Sequence, residues 1–138
     1  MLAINATQHR QNYSMYYDKT IRTGPIFVKR LRDYAVQMDI SLLKTLIEDV
    51  ENISVTCEKE TDGSIVLTTD IFDLIAVGNT IEEANTNMIA ELKDYALDFI
   101  ENLNEWSKAP NRKKHVKYIM KIATCENDQE ILDMIRID

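Results

Sequence analysis

The sequence predicts an α+β protein: a β-α-β-β-α module, then a β-β-β-α module, then C-terminal helices. Three observations lead there. Stretches that alternate apolar and polar residues are interleaved with stretches of helical period. Gly24-Pro25, Asp62-Gly63 and Pro110 punctuate them. The charge divides in the same places: residues 1–47 carry seven Lys or Arg against three Asp, whereas residues 48–107 carry fifteen acidic side chains against Lys59 and Lys93. The expected domains are 1–50, 51–107 and a helical segment over 108–138.

MLAIN reads as a first strand, and Asn5 with Gln8 three residues on has the spacing of a helix-capping box. One helix is expected to follow, with Tyr13, Tyr16, Tyr17 and Ile21 on its apolar face, ended by Gly24 and Pro25. IFVKRL and DYAVQMDI form a tight hairpin turning around Arg32 and Asp33, and Ser41 caps a helix striped by Leu42, Leu43, Leu46, Ile47 and Val50. In the second module, ISVTCEKE and IVLTTDIF are joined through the Asp-Gly turn, and DLIAVG supplies a third strand. Thr80 and Glu83 then cap a long helix over 81–106, with Ile81, Ala84, Met88, Leu92, Tyr95, Phe99, Leu103 and Trp106 on one face. Two shorter helices, one basic and one acidic, follow Pro110, and Arg112, Lys113, Lys114, Lys117 and Lys121 of the basic one are read as pairing with the acidic helix.

With 138 residues, 45% of them hydrophobic, and a mean hydropathy of -0.28, the chain has the composition of a folded, water-soluble protein. It lacks an apolar run of about 18 residues and an export leader, so a cytoplasmic location without membrane contact is expected. Cys57 and Cys125 follow no CxxC or Cys/His spacing and are read as free thiols.

Catalytic chemistry finds little support. The two histidines, His9 and His115, fall in different modules, and three glycines are too few for a phosphate-cradling loop. No cofactor is implied and no enzyme is expected. Two alternatives stay open: a divalent-metal nuclease using Asp70, Asp73 and Glu91, and a small-molecule-responsive regulator with its ligand in the second module.

Arg10, Lys29, Arg30 and Arg32 concentrate positive charge on one small module of an otherwise acidic chain, whose formal charge is -7. A duplex backbone suits such a set, because each neutralised phosphate releases counterions. About fifty residues bury too little surface for comfortable stability alone, so a homodimer is expected; its two-fold axis would present two copies of the set to a palindromic site.

The residues also carry two resemblances. INATQHRQNYS, GPIFVKR and YAVQMDIS resemble the Phd/YefM antitoxins of bacterial type II toxin-antitoxin systems over about residues 1–50, through Arg10-Gln11-Asn12, Val28-Lys29-Arg30 and Ile40-Ser41-Leu42. This chain has RLRDY where that family has an Asn/Gly-containing turn, and SLLKTL lacks the acidic pair after Ser-Leu. About residues 53–106, with Asp62-Gly63 and the Gly78, Thr80, Glu83, Ala84 helix entry, are similar to the HicB antitoxin domain, a partial RNase H-like fold. The resemblance implies a RelB/Phd-like antitoxin that dimerises, or associates further, on its own operator DNA and represses it. Arg10 and Arg30 would be the foremost contacts, with Asn12, Lys29 and Arg32 beside them, and an acidic remainder would engage a cognate toxin such as a basic one of RelE type.

Overall fold

The first strand, β1 (Ala3–Asn5), runs straight into helix α1 (Ala6–Gln11), because the Asn5 side chain accepts the Thr7 amide at 2.7 Å and satisfies an amide the helix start leaves free. The computed structural model describes residues 1–138 as two units, 1–48 and 49–138. Between them they hold two sheets and seven α-helices, a mixed α+β architecture.

In the first unit the single helix expected after Asn5 is broken. Asn12 has φ -122° and ψ 37°, and its side chain donates back to the Gln8 carbonyl at 3.2 Å, so α1 stops and α2 (Tyr13–Arg22) begins afresh. Side chains of the Asn type compete in this way for backbone groups that a helix would otherwise use. Strand β2 (Ile26–Arg30) lies between β1, parallel, and β3 (Asp33–Gln37), antiparallel. The hairpin turns on Leu31 and Arg32, one residue earlier than expected, since Arg30 pairs with Asp33. Helix α3 (Ile40–Leu46) is capped by Asp39 rather than Ser41: the Asp39 carboxylate accepts the Ser41 amide at 2.8 Å and its hydroxyl at 2.9 Å, which also holds its pKa below the usual range.

Opposed residues of an antiparallel pair share a face, so Ile26, Val28, Ala35 and Gln37 look one way and Phe27, Tyr34 and Val36 the other. Helices cover the first face: Gln37 bonds His9 of α1 at 2.8 Å and Thr20 of α2 at 3.2 Å. The second face is open, with Phe27, Tyr34 and Val36 exposed. Tyr13, Tyr17 and Ile21, from the apolar face of the expected helix, are exposed on α2; the only buried apolar side chains of residues 1–48 are Tyr16 and Ile26.

The second unit has a full core. Strands β4 (Ile53–Lys59), β5 (Ile65–Thr69) and β6 (Ile75–Gly78) form the expected meander, with Gly63 at φ 92° in the first turn. A fourth strand, β7 (Ile135–Ile137), adds parallel to β4 and sets the order β6-β5-β4-β7. Helix α4 (Ile81–Glu101) packs on this sheet through Ala84, Met88, Leu92 and Phe99, each fully buried. Its cap is as expected: Thr80 accepts the Glu83 amide at 3.1 Å while Glu83 reaches back to the Asn79 amide at 3.2 Å. The helix ends at Glu101, and α5 (Leu103–Trp106) is a separate short turn. Helices α6 (Val116–Ala123) and α7 (Asp128–Asp133) pack against α4, and Lys93 of α4 pairs with Asp128 at 2.8 Å. Cys57 is a free thiol, and the Cys125 thiol donates to the Lys121 carbonyl at 3.3 Å. No helix is long and apolar enough to cross a membrane.

Candidate functional site

The cationic residues of the first unit stand where β2 meets its turn. Lys29 and Arg30 close β2, Arg32 sits in the turn, and all three are exposed. Arg30 lies on the helix-covered face together with Val28, whereas Lys29 lies on the open face opposite Tyr34, with its ammonium 5.5 Å from the Tyr34 ring centre. Strand register places Asn5, the cap of α1, beside Lys29. Helix α1 packs against β2, so Arg10 in its last turn and Arg30 rise from the same side of the sheet. None of Arg10, Lys29, Arg30 or Arg32 is held in an ion pair, although Asp33 is the strand partner of Arg30. Asn12 sits at the helix break with one amide hydrogen committed to the Gln8 carbonyl, which leaves its second amide hydrogen and its side-chain oxygen for a further contact.

The acidic character of the second unit gathers on the outer side of α4. Glu91, Asp94, Asp98 and Glu101 are exposed there at steps of three and four, with Leu97 and Ile100 between them 58% and 43% exposed. In the short acidic helix expected to pair with the basic segment, Asp128 pairs with Lys93 of α4 instead. Arg112 lies 3.9 Å from the Trp106 ring centre, Lys117 5.3 Å from that of Tyr118, and Lys121 donates to the Val50 carbonyl at 3.2 Å. These cations are held by ring faces and a carbonyl rather than by carboxylates.

His115 is the feature that sequence reasoning passed over. It is 6% exposed, with Nδ1 2.8 Å from the Tyr95 hydroxyl and its ring set edge-on against Phe72 at 4.9 Å. Its Nε2 is buried without a hydrogen-bond partner. Burial, first of all, then the neighbouring Lys114 and Arg112 charges hold the imidazole below its ordinary pKa, against the opposing pull of the Ile71 backbone and Asp73. Burial likewise raises the Tyr95 phenol, with Arg112 opposing it. Nothing in the basic run NRKKH marks this one residue as interior, because its neighbours are cations that face solvent.

No group of three or more His, Cys, Asp or Glu stands close enough to hold a metal ion. The nuclease alternative built on Asp70, Asp73 and Glu91 therefore loses its geometric basis.

A mixed α+β chain with one cationic unit of open apolar surface and one well-packed acidic unit has the makings of a regulatory binding protein. A family described as PHD-like, the antitoxin of RelE/RelB toxin-antitoxin systems, matches residues 1–137, and the chain belongs to that family. Among solved structures, the antitoxin part assigned to a toxin/antitoxin system of Syntrophomonas wolfei subsp. wolfei is 36% identical, with a TM-score of 0.83, covering 100% of this chain and 99% of that one. No curated protein matches. One family model thus spans both units.

Proposed function

We propose that this antitoxin binds its own operator as a homodimer through residues 1–48 and neutralises its toxin by direct contact with the acidic second unit, without catalysis of its own. The observation that carries the DNA half is the placement of Arg10 and Arg30 on one side of the first sheet, exposed and free of carboxylate partners. Guanidinium groups left unpaired in this way are available to phosphate oxygens or to guanine edges. Arg32 in the turn and Asn12 at the helix break extend this surface, and Lys29 adds its charge from the other face at the same end of β2.

Dimerisation draws support from what the first unit fails to bury. A unit of this size with two buried apolar side chains cannot stand alone, and Tyr13, Tyr17 and Ile21 on α2, with Phe27, Tyr34 and Val36 on the open sheet face, supply the surface a second copy would cover. For the toxin half, the exposed Glu91, Asp94, Asp98 and Glu101 around Leu97 and Ile100 suit a basic partner such as a RelE-type toxin, steering its approach and then burying two apolar side chains.

The test is the affinity of the full chain for the duplex upstream of its own gene, measured over a range of salt. Arg10→Ala with Arg30→Ala is expected to weaken binding and to flatten the slope of log K against log salt by about 0.9 for each phosphate that is no longer neutralised. Unchanged affinity and slope would remove these residues from the interface.

A further inference from the structure

The two-residue turn between β2 and β3 holds a conflict. Paired strands twist in the right-handed sense, and a two-residue loop matches that twist when its first central residue has positive φ, which is why Gly, Asn and Asp dominate there. Here that residue is Leu31, at φ 54°. Leucine has no side-chain oxygen to compensate for the crowding of its Cβ in this region.

Internal packing does not explain the choice either. Leu31 is 85% exposed, among the most solvent-accessible apolar side chains of the protein. A strained backbone and a fully hydrated apolar side chain are two penalties at one position, and neither is offset within the fold. The surroundings indicate where the compensation lies. Arg30 and Arg32 flank Leu31 directly, Lys29 stands one residue further back, and none of the three is neutralised by a carboxylate. An apolar tip set among cations is a poor fit to a lipid-free aqueous surface and a good fit to a nucleic-acid groove, whose walls are phosphates and whose floor is base edges and stacking faces.

We infer that Leu31 is an apolar wedge that the hairpin pushes between base steps of the bound duplex from the minor-groove side, while Arg30 and Arg32 hold the phosphates on either side of the opening. This inference rests on the DNA reading above and adds a contact of a different kind to it. Side chains inserted in this way partly unstack a step and kink the duplex, and arginines beside them are drawn to the negative potential of a narrow groove. Leu31 stands at the extreme end of the hairpin, exposed and free to lead.

The experiment compares the full-length parent with Leu31→Gly and Leu31→Asn, both of which tolerate the turn. Each variant is expected to melt at or above the parent's temperature yet to bind the upstream duplex about tenfold or more weakly, the loss expected when a leucine side chain is no longer buried. The salt slope is expected to stay that of the parent, because every phosphate neutralised by the parent is still neutralised, in contrast to Arg30→Ala. A 2-aminopurine reporter stepped through the duplex should brighten at one or two positions with the parent and stay dark with Leu31→Gly. Parent-like affinity in Leu31→Gly, a slope that falls with affinity, or no brightening anywhere overturns the wedge while leaving the DNA reading standing. A parent that binds no duplex overturns both.

Discussion

Leu31 and His115 illustrate opposite ways in which one side chain can be out of place. Leu31 is apolar in water, on a backbone that costs a non-glycine residue about 1–3 kcal/mol. His115 is ionisable and buried. Unfolded imidazole takes up its proton near pH 6.5, whereas the folded one does so only at lower pH. Between those two values the unfolded chain binds more protons than the folded chain, so stability is full above about pH 6.5 and declines as pH falls through the window. Thermal melts of the parent should therefore drop in temperature from pH 7 to pH 5. His115→Gln, which cannot charge, should start lower at pH 7 by about 1–3 kcal/mol, for the lost fit to Tyr95 and Phe72, but decline less steeply with acid. Equal steepness in the two proteins would assign the acid sensitivity to other groups. The cations of the first unit were legible in the sequence as charges, since a formal charge needs no structure to be counted. Leu31 was not, because the sign of φ can be read from the chain only where Gly or Asn declares it.

At the scale of elements, the junction between β6 and α4 leaves no room for a side chain at Gly78. A Cβ on Gly78 would run into the backbone of Glu83 and Ala84, with the Ala84 Cα only 2.8 Å away. Neither can yield without moving the first turn of α4. Gly78→Ala should lower stability by about 1–3 kcal/mol or more, read as a reduced melting temperature with normal content of secondary structure, and a neutral result would show that the helix start can slide. This junction was plain in the sequence because Gly78, Thr80 and Glu83 are each a residue type with one conformational or capping use, and their spacing agrees. The break at Asn12 was hidden, since the apolar spacing of Tyr13, Tyr16, Tyr17 and Ile21 continues a helix smoothly. β7 was hidden for another reason: three residues cannot display a period, and a parallel edge strand gains its pairing from β4, distant in sequence. The acidic face of α4 was legible as composition, but that Leu97 and Ile100 sit exposed within it depended on where the helix packs.

For the whole molecule, the unequal cores imply unequal stabilities. The second unit buries a continuous apolar layer between its sheet and α4, including Val55, Leu67, Leu92 and Phe99, and should unfold independently of protein concentration. With the dimer proposed above, the first unit's transition should move to higher temperature as concentration rises. Tyr17→Asp with Ile21→Asp, at exposed positions of α2, should give a monomer by sedimentation and abolish that concentration dependence; a persistent dimer would place the seam on the open sheet face around Phe27 and Val36 instead.

The pairing of β7 with β4 also sets a timetable for synthesis. Ile53 aligns with Ile135 and Val55 with Ile137, so β4 leaves the ribosome without the neighbour that will cover its outer edge. At roughly 5–20 residues per second the wait lasts on the order of ten seconds. Throughout it the cationic unit, residues 1–48, is already synthesised. The acidic unit has yet to acquire its closing strand, so, with the roles proposed above for the two units, a newborn chain would be ready to report on its own abundance before it could restrain its toxin.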